Sequence, residues 1–151
     1  MSAPQAVSVA VGFSRIALTS RWADHAWRLM AVAPGGAAPA GADRVFDGLE
    51  LRIYSDEADN YLLNLTAPEP MLFVAWRLED DQPVVLLVTA SYGEAARMLD
   101  SGENVEGVPL PEDLRGWIED FARAHYRPME KKQKTKRYAT TRQIERQEQG
   151  L

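Results

Sequence analysis

Apolar residues change their spacing near residue 90, and this change constrains the fold more than any other feature of the sequence. Before that point they recur at every second position, as in Val7, Val9, Val11 and Phe13, which is the period of a half-buried β-strand. The clearest case is residues 49–54, where two leucines and an isoleucine alternate with Glu, Arg and Tyr. After residue 90 the spacing becomes three and four, the period of an amphipathic helix. This order predicts an α+β protein.

Seven segments carry the strand pattern. The apolar phase slips by one residue after Ser14, which indicates a β-bulge, a bend or a strand end. An acidic turn at residues 56–60 is expected to join the strand 49–54 to a returning strand, and a polar connection at residues 79–83 is expected to close a second hairpin. Nearly continuous apolar runs beside that connection predict central strands. The segments are residues 7–13, 16–18, 27–32, 49–54, 61–65, 71–78 and 84–89.

Two helices are predicted after the strands. Ser91 followed by Glu94 is a capping-box pattern at the start of the first helix, and Gly102 stands where that helix would end. Pro111 lies near the start of the second helix and Pro128 ends it. Apolar residues of the second helix form a stripe suited to packing on a sheet, and these are Leu114, Trp117, Ile118, Phe121 and Ala122.

Together these elements predict a curved antiparallel sheet or small barrel of six to seven strands, followed by two helices, with the last helix packed on the sheet. Charge divides the chain in two. The whole chain has 17 Lys or Arg and 22 Asp or Glu. From Arg127 onward there are 8 basic and 3 acidic residues, so the residues before Arg127 include 9 basic and 19 acidic ones. We therefore predict a single acidic globular domain at residues 1–127 and a basic flexible tail at residues 128–151, whose apolar content is too low to build a core.

Residues that could carry catalysis are sparse. The chain has no cysteine, which excludes a disulfide scaffold, a thiolate metal site and a cysteine nucleophile. His25 and His125 lack metal-ligand spacing, and neither a glycine-rich phosphate loop nor a GxSxG elbow occurs. The protein is predicted to be non-enzymatic, with no cofactor. Four carboxylate pairs fall in predicted turns or on polar helix faces, where they are expected to be solvated: Asp56 and Glu57, Asp80 and Asp81, Glu112 and Asp113, Glu119 and Asp120.

The strongest candidate site combines tryptophan and arginine. Both residue types are over-represented in binding hot spots, because they combine buried area with directional hydrogen-bond donors. Trp27 is in phase with Leu29 and is expected to be buried, whereas Trp22 precedes the strand and is expected to be exposed. Cations of the tail form a second candidate contact, with an acidic protein surface or with phosphates. The predicted partner-binding residues are Arg21, Trp22, His25, Trp27, Arg28, Lys131, Lys132, Lys134, Lys136 and Arg137.

Three interpretations of function follow from these residues. The first is an accessory protein that binds a partner polypeptide. The second is a small-ligand module, with a pocket inside a barrel lined by Trp76, Tyr61 and Phe73 and with His25 near its mouth. The third is electrostatic nucleic-acid binding by the tail, which the charge of the acidic body disfavours. Neither a signal peptide nor a run of about 20 apolar residues is found, so a cytoplasmic protein with no membrane span is expected.

Three stretches of the chain resemble a known family. They are residues 7–34, which include the RWxxHxW segment, residues 49–65, and residues 73–111, which include VTASYGEAARMLDSGE. They resemble a mainly proteobacterial family known as a domain of unknown function, whose genes often lie beside those of molybdenum-dependent formate dehydrogenase and its maturation factors. The resemblance implies an accessory role in assembly, stability or regulation of that enzyme, with one of its subunits or maturation factors as the partner. It supplies no catalytic residues.

Overall fold

The computed structural model describes residues 5–19, 21, 25–35 and 39–126. Six strands and three α-helices form within these residues, and a 3-10 turn, Ser55–Glu57, leads into the first helix. The helices are α1 (Ala58–Leu65), α2 (Tyr92–Asp100) and α3 (Glu112–His125). The strands are β1 (Ala6–Ala17), β2 (His25–Pro34), β3 (Arg44–Arg52), β4 (Met71–Glu79), β5 (Gln82–Thr89) and β6 (Asn104–Pro109).

The strands form two antiparallel sheets, with the orders β2-β1-β3 and β5-β4-β6. Sheet edges meet in two places, because β3 runs beside β5 and β2 runs beside β6. The α+β class is confirmed. The expected single curved sheet or barrel is not confirmed, because the strands are divided between two sheets. The edge strands β3 and β5, and likewise β2 and β6, lie near each other without forming a shared ladder.

One hydrophobic core lies between the sheets and the helices. It is built from inward-facing residues of β1 and β4, such as Phe13 and Val74, together with Tyr61 of α1. The predicted stripe of α3 enters this core through four buried residues, while Trp117 is only partly buried. Each fully buried aliphatic or aromatic side chain contributes about 1.5–3 kcal/mol. The last helix packs mainly against α1 and the 3-10 turn, whereas the sequence predicted packing on the sheet.

The segment 61–65 is a helix, so the predicted strand and its hairpin with residues 49–54 are wrong. Ala58, Tyr61 and Leu65 are buried, and their spacing of three and four residues is helical. Residues 61–65 alone are too few to show the helical period, because Ala58, the first apolar residue of the buried face, lies before them. Asn64 completes the buried face, with its side-chain Nδ2 donating to the carbonyl oxygens of Met71 and Ala90 at 2.7 and 2.9 Å.

Several local predictions are confirmed. The phase slip after Ser14 lies inside one strand, since β1 runs from Ala6 to Ala17, but the register shifts of β1 come earlier, at Gly12/Phe13 against β2 and at Val9/Val11 against β3. The second hairpin forms, although its connection is only Asp80 and Asp81, both at positive φ, as in a tight primed turn. Ser91 caps α2 by accepting from Glu94 N at 3.1 Å. Gly102, at φ 88°, follows the end of that helix in a Schellman arrangement.

Strand β6 has no counterpart among the sequence predictions. Its six residues include Asn104, Glu106 and Gly107, which have low strand propensity. The strand forms because residues 104–109 lie along the free edge of β4, with which they make an antiparallel ladder. Pairing with an apolar neighbour therefore overrides the local preference of the segment.

Candidate functional site

The β1–β2 hairpin extends beyond the rest of its sheet. Pairing between β1 and β3 stops at Phe13, which faces Arg44, whereas pairing between β1 and β2 continues to Ala17, which faces His25. We call the two-stranded extension the hairpin end, and it comprises residues 14–19, 21 and 25–28. Among the described residues, no third strand pairs with the hairpin end on the β3 side, and on that edge the Arg15 N–H donates to Asp43 Oδ2 at 2.7 Å.

One face of the hairpin end contacts the second sheet. Arg15 pairs with Trp27, and Ala17 with His25, and directly opposed residues share one face. Trp27 is buried, and its indole N–H donates to the carbonyl oxygen of Asp81 at 2.9 Å. The ring of His25 meets Trp27 edge-on at 6.1 Å. A guanidinium nitrogen of Arg15 lies 3.3 Å from His25 Nδ1.

The opposite face presents aliphatic and cationic groups to solvent. Ile16 is opposed by Ala26, and Arg28 by Ser14, so these four residues share the outer face. Ile16 and Leu18 are 38% and 40% exposed. The Arg28 side chain is 68% exposed, and its Nε is 3.9 Å from a carboxylate oxygen of Glu106. An ion pair as exposed and as long as this one leaves the guanidinium accessible to a partner.

The hairpin is the cationic part of an acidic body. Residues 6–34 hold three arginines and one aspartate, a net charge of +2. The other residues up to 126 hold six arginines and eighteen acidic residues, a net charge of −12. Lysine is absent from the first 126 residues, so every cation in this part of the chain is a guanidinium. Arginine can bind a carboxylate through two parallel hydrogen bonds, which lysine cannot do.

The structure brings together three of the predicted partner-binding residues and leaves others undescribed. His25, Trp27 and Arg28 lie together at the start of β2, and Arg21 is exposed in the connection. Trp27 is a core residue held by a hydrogen bond, as the strand phase predicted, so its indole contributes to rigidity more than to contact area. Outside the described residues lie Trp22, Lys131, Lys132, Lys134, Lys136 and Arg137.

A second polar group joins the 3-10 turn to the start of α2. We call it the polar cluster, and it comprises Glu57, Thr89, Ser91, Glu94 and Arg97. The Ser91 hydroxyl donates to a carboxylate oxygen of Glu57 at 2.5 Å, and the Thr89 hydroxyl donates to one of Glu94 at 2.5 Å. The Arg97 guanidinium lies 3.4 Å from the other oxygen of Glu57. The side chain of Glu57 is only 12% exposed, so its predicted solvation is wrong.

Burial changes the acid–base behaviour of the polar cluster. It raises the pKa of the Glu94 carboxyl, against the effect of the hydrogen bond from Thr89, and the nearby negative charge of Glu57 adds to the rise. Burial also raises the pKa of the Tyr61 hydroxyl, which accepts from Tyr54 N at 2.9 Å. Among the described side chains, every buried nitrogen and oxygen has a hydrogen-bond partner. The polar cluster therefore links the 3-10 turn, β5 and α2 through hydrogen bonds, and its buried polar atoms all have partners.

The residues predicted to line a barrel pocket face three separate neighbours. Trp76 packs edge-on against Phe13 at 5.2 Å, and Tyr61 lies 6.5 Å from the ring of Phe121. Phe73 lies 5.4 Å from the ring of Tyr92 in α2. Trp76 and Tyr61 are core residues with different neighbours, whereas Phe73 lies outside the core, so their contacts do not favour a shared ligand chamber.

Comparison with protein families gives one match. A model described as a protein of unknown function, DUF3305, matches residues 8–136. The chain belongs to the DUF3305 family. Neither the curated proteins nor the solved structures gave a match.

The DUF3305 match covers both groups of residues described above and continues beyond α3. It includes the hairpin end, the polar cluster and, after the last described residue, Lys131, Lys132, Lys134 and Lys136. Within the described ranges, no helix is long and apolar enough to cross a bilayer. In the same part of the chain, no group of three or more His, Asp or Glu side chains is placed to hold a metal ion.

Sequence reasoning missed several residues of the DUF3305 domain that the structure brings together. The spacing of Ile16 and Leu18 predicts a strand segment, and nothing in it shows that β3 stops short of them. Glu57 and Arg97 are 40 positions apart, so only the packing of α2 on the 3-10 turn joins them. One usable signal was the capping pattern at Ser91, because a serine at a helix N-cap places a hydroxyl where other elements can bind it.

Proposed function

We propose that this DUF3305 protein is a non-catalytic accessory protein that binds a larger partner protein through the hairpin end. The observation that carries the proposal is the outer face of that extension, where exposed Ile16 and Leu18 lie beside the exposed guanidinium of Arg28. Apolar area next to arginine is typical of binding surfaces. The bonds from the buried Trp27 to the Asp81 carbonyl and from Leu29 N to Glu106 hold β2 in one position, which lowers the entropy lost on binding.

We propose further that the partner is a subunit or a maturation factor of a molybdenum-dependent formate dehydrogenase, and that binding serves its assembly, stability or regulation. This part is supported by the resemblance of residues 7–34, 49–65 and 73–111 to a family encoded beside that enzyme. A binding role also agrees with the polar cluster, whose buried groups are all partnered within the protein. The lysines at positions 131, 132, 134 and 136 would add a second contact with an acidic surface.

A gene deletion combined with affinity purification tests this proposal. Deletion is expected to lower formate dehydrogenase activity, and the tagged protein is expected to recover a subunit or maturation factor of the enzyme from nuclease-treated lysate. The variant Ile16→Ser with Arg28→Gln is expected to lose that recovery. Its matched control is Leu63→Ser with Arg123→Gln, which alters an exposed leucine and an exposed arginine on the helices. Full enzyme activity in the deletion strain, together with no recovered enzyme component, would contradict the proposal.

A further inference from the structure

We infer that the hairpin end recognises an acidic polypeptide segment that also carries aliphatic side chains, an inference that rests on the proposed partner-binding function. Charge gives the first argument. Residues 6–34 have a net charge of +2, while the rest of the first 126 residues has −12. Screening limits attraction between exposed charges to about 8 Å at physiological ionic strength. An acidic segment is therefore attracted where exposed arginines stand away from the second sheet, at positions 21 and 28, and is repelled by most of the remaining surface.

The helices carry charge of the sign that repels such a segment. The 3-10 turn and α1 carry three acidic residues and no Lys or Arg, and α3 carries four acidic residues and two arginines. Both arginines of α3 are already engaged, since Arg115 donates to the Leu65 carbonyl and Arg123 pairs with Glu119. The hairpin end and the helices therefore differ in sign, and this difference sets the side on which an acidic partner docks.

Exposed apolar groups separate a polypeptide from other polyanions. Ile16 and Leu18 stand two positions apart on the hairpin end and are each more than one-third exposed. A nucleic acid would neutralise the arginines through its phosphates and leave these two side chains largely uncovered. A peptide that alternates carboxylates with leucine or isoleucine satisfies both, because its carboxylates accept from the guanidinium forks while its aliphatic groups cover Ile16 and Leu18.

The test uses the full-length protein and fluorescent synthetic peptides as probes. The first peptide alternates leucine with pairs of glutamate, the second replaces leucine by serine, and the third replaces glutamate by lysine. We expect the first to bind, to lose about tenfold in affinity with Arg21→Gln and Arg28→Gln, and to weaken when NaCl is raised from about 0.05 M to about 0.5 M. The serine peptide is expected to bind less tightly than the leucine peptide, and the lysine peptide is expected not to respond to the arginine substitutions.

Amide NMR shifts locate the binding site, and thermal unfolding shows that each variant is folded. As a second variant, Ile16→Ser leaves every charge in place and is expected to weaken the leucine peptide but not the serine peptide. Binding of the leucine peptide that is unaffected by the arginine and isoleucine substitutions overturns the inference. Equal binding of the leucine and serine peptides overturns it as well, as does tighter binding of single-stranded DNA at the hairpin end. A dimer that dissociates on Arg21→Gln and Arg28→Gln assigns the surface to a second copy and also overturns it.

The inference and the proposed function fail separately. If the leucine peptide does not bind, while the enzyme component is still recovered from lysate through Ile16 and Arg28, the proposed function stands and the acidic-segment inference is wrong. If the leucine peptide binds as expected, while gene deletion leaves formate dehydrogenase unaffected and no enzyme component is recovered, the inference stands and the formate dehydrogenase role is wrong.

Discussion

Trp76 of β4 donates its indole N–H to Glu106 of β6, with 3.1 Å between Nε1 and Oε2. The same oxygen accepts the backbone N–H of Leu29 in β2 at 3.0 Å. One carboxylate oxygen thereby joins the two sheets where β2 runs beside β6. Together with the bond from Trp27 to the Asp81 carbonyl, it fixes the hairpin end against the second sheet by side-chain hydrogen bonds.

Replacing Glu106 by alanine is expected to destabilise the protein by about 1–3 kcal/mol, because it leaves the buried indole of Trp76 and the amide of Leu29 without their acceptor. Glu106→Gln keeps an acceptor oxygen and should lie between the alanine variant and the wild type. The control is Glu50→Ala, whose carboxylate pairs with Arg52 on an exposed strand face and should cost less than about 1 kcal/mol. Urea unfolding measures these differences in the free energy of unfolding. Equal losses for Glu106→Ala and Glu50→Ala would show that the hydrogen bonds of Glu106 do not stabilise the contact between the two sheets.

Ser91→Ala is expected to cost about 1–2 kcal/mol in the free energy of unfolding. The substitution removes the cap of α2, where the hydroxyl accepts from Glu94 N, and also the hydrogen bond that the hydroxyl donates to Glu57. Ser101→Ala is the matched control at the other end of the same helix, because its exposed hydroxyl only donates to the Arg97 carbonyl. That control should lie within about 0.5 kcal/mol of the wild type. If thermal unfolding gives the reverse order, the polar cluster does not anchor α2.

Glu94 should make stability depend on pH. Burial raises the pKa of its carboxyl above the ordinary value of 4.5, so the folded state binds this proton more tightly than the unfolded chain does. The resulting stabilisation is full below the unfolded value and is lost as pH rises through the folded pKa. Relative to Glu94→Gln, the wild type should therefore lose stability as pH rises from 4.5 toward neutrality.

A direct readout for Glu94 is a carbon-13 NMR titration of its carboxyl. Thr89→Val should move the midpoint further upward, because the hydrogen bond from Thr89 lowers the pKa of Glu94. A midpoint at or below 4.5 in the wild type, or a downward movement in Thr89→Val, would contradict the assignment of burial as the dominant cause.

Two helical glycines should respond to alanine with opposite signs. At Gly93 an added Cβ would lie 2.9 Å from Asn60 Nδ2, an atom that already donates to Glu57, so the crowding should cost about 1–3 kcal/mol. At Gly116 in α3 the added Cβ meets nothing within 4 Å, so alanine should stabilise by about 0.5–1 kcal/mol through its helix propensity. Melting temperatures compare the two variants, and a stabilised Gly93→Ala would mean that α2 is not pressed against α1.

Local chemistry made parts of this fold predictable. The alternation at residues 49–54, the cap at Ser91, the stop at Gly102 and the stripe of α3 each depend on residues within a few positions of one another. The cap, the stop and the stripe formed as expected, and burial alternates over residues 49–54 although β3 spans Arg44–Arg52. The strand prediction for residues 61–65 is wrong because a five-residue window holds little more than one helical turn. Strand β6 was not predictable from the sequence, because its strand propensity is weak and its partner, β4, lies about thirty residues away.

The sequence by itself determined the α+β class, most of the strand and helix segments, and the separation of an acidic body from a basic C-terminal segment, because these follow from short-range periodicity and from charge, which adds along the chain. Tertiary structure alone decided that the strands divide into two sheets, that the Glu57 side chain is mostly covered, and that β3 stops short of Ile16 and Arg28. These features depend on which segments pack together across tens of residues, and that choice is set by the shape of the whole core.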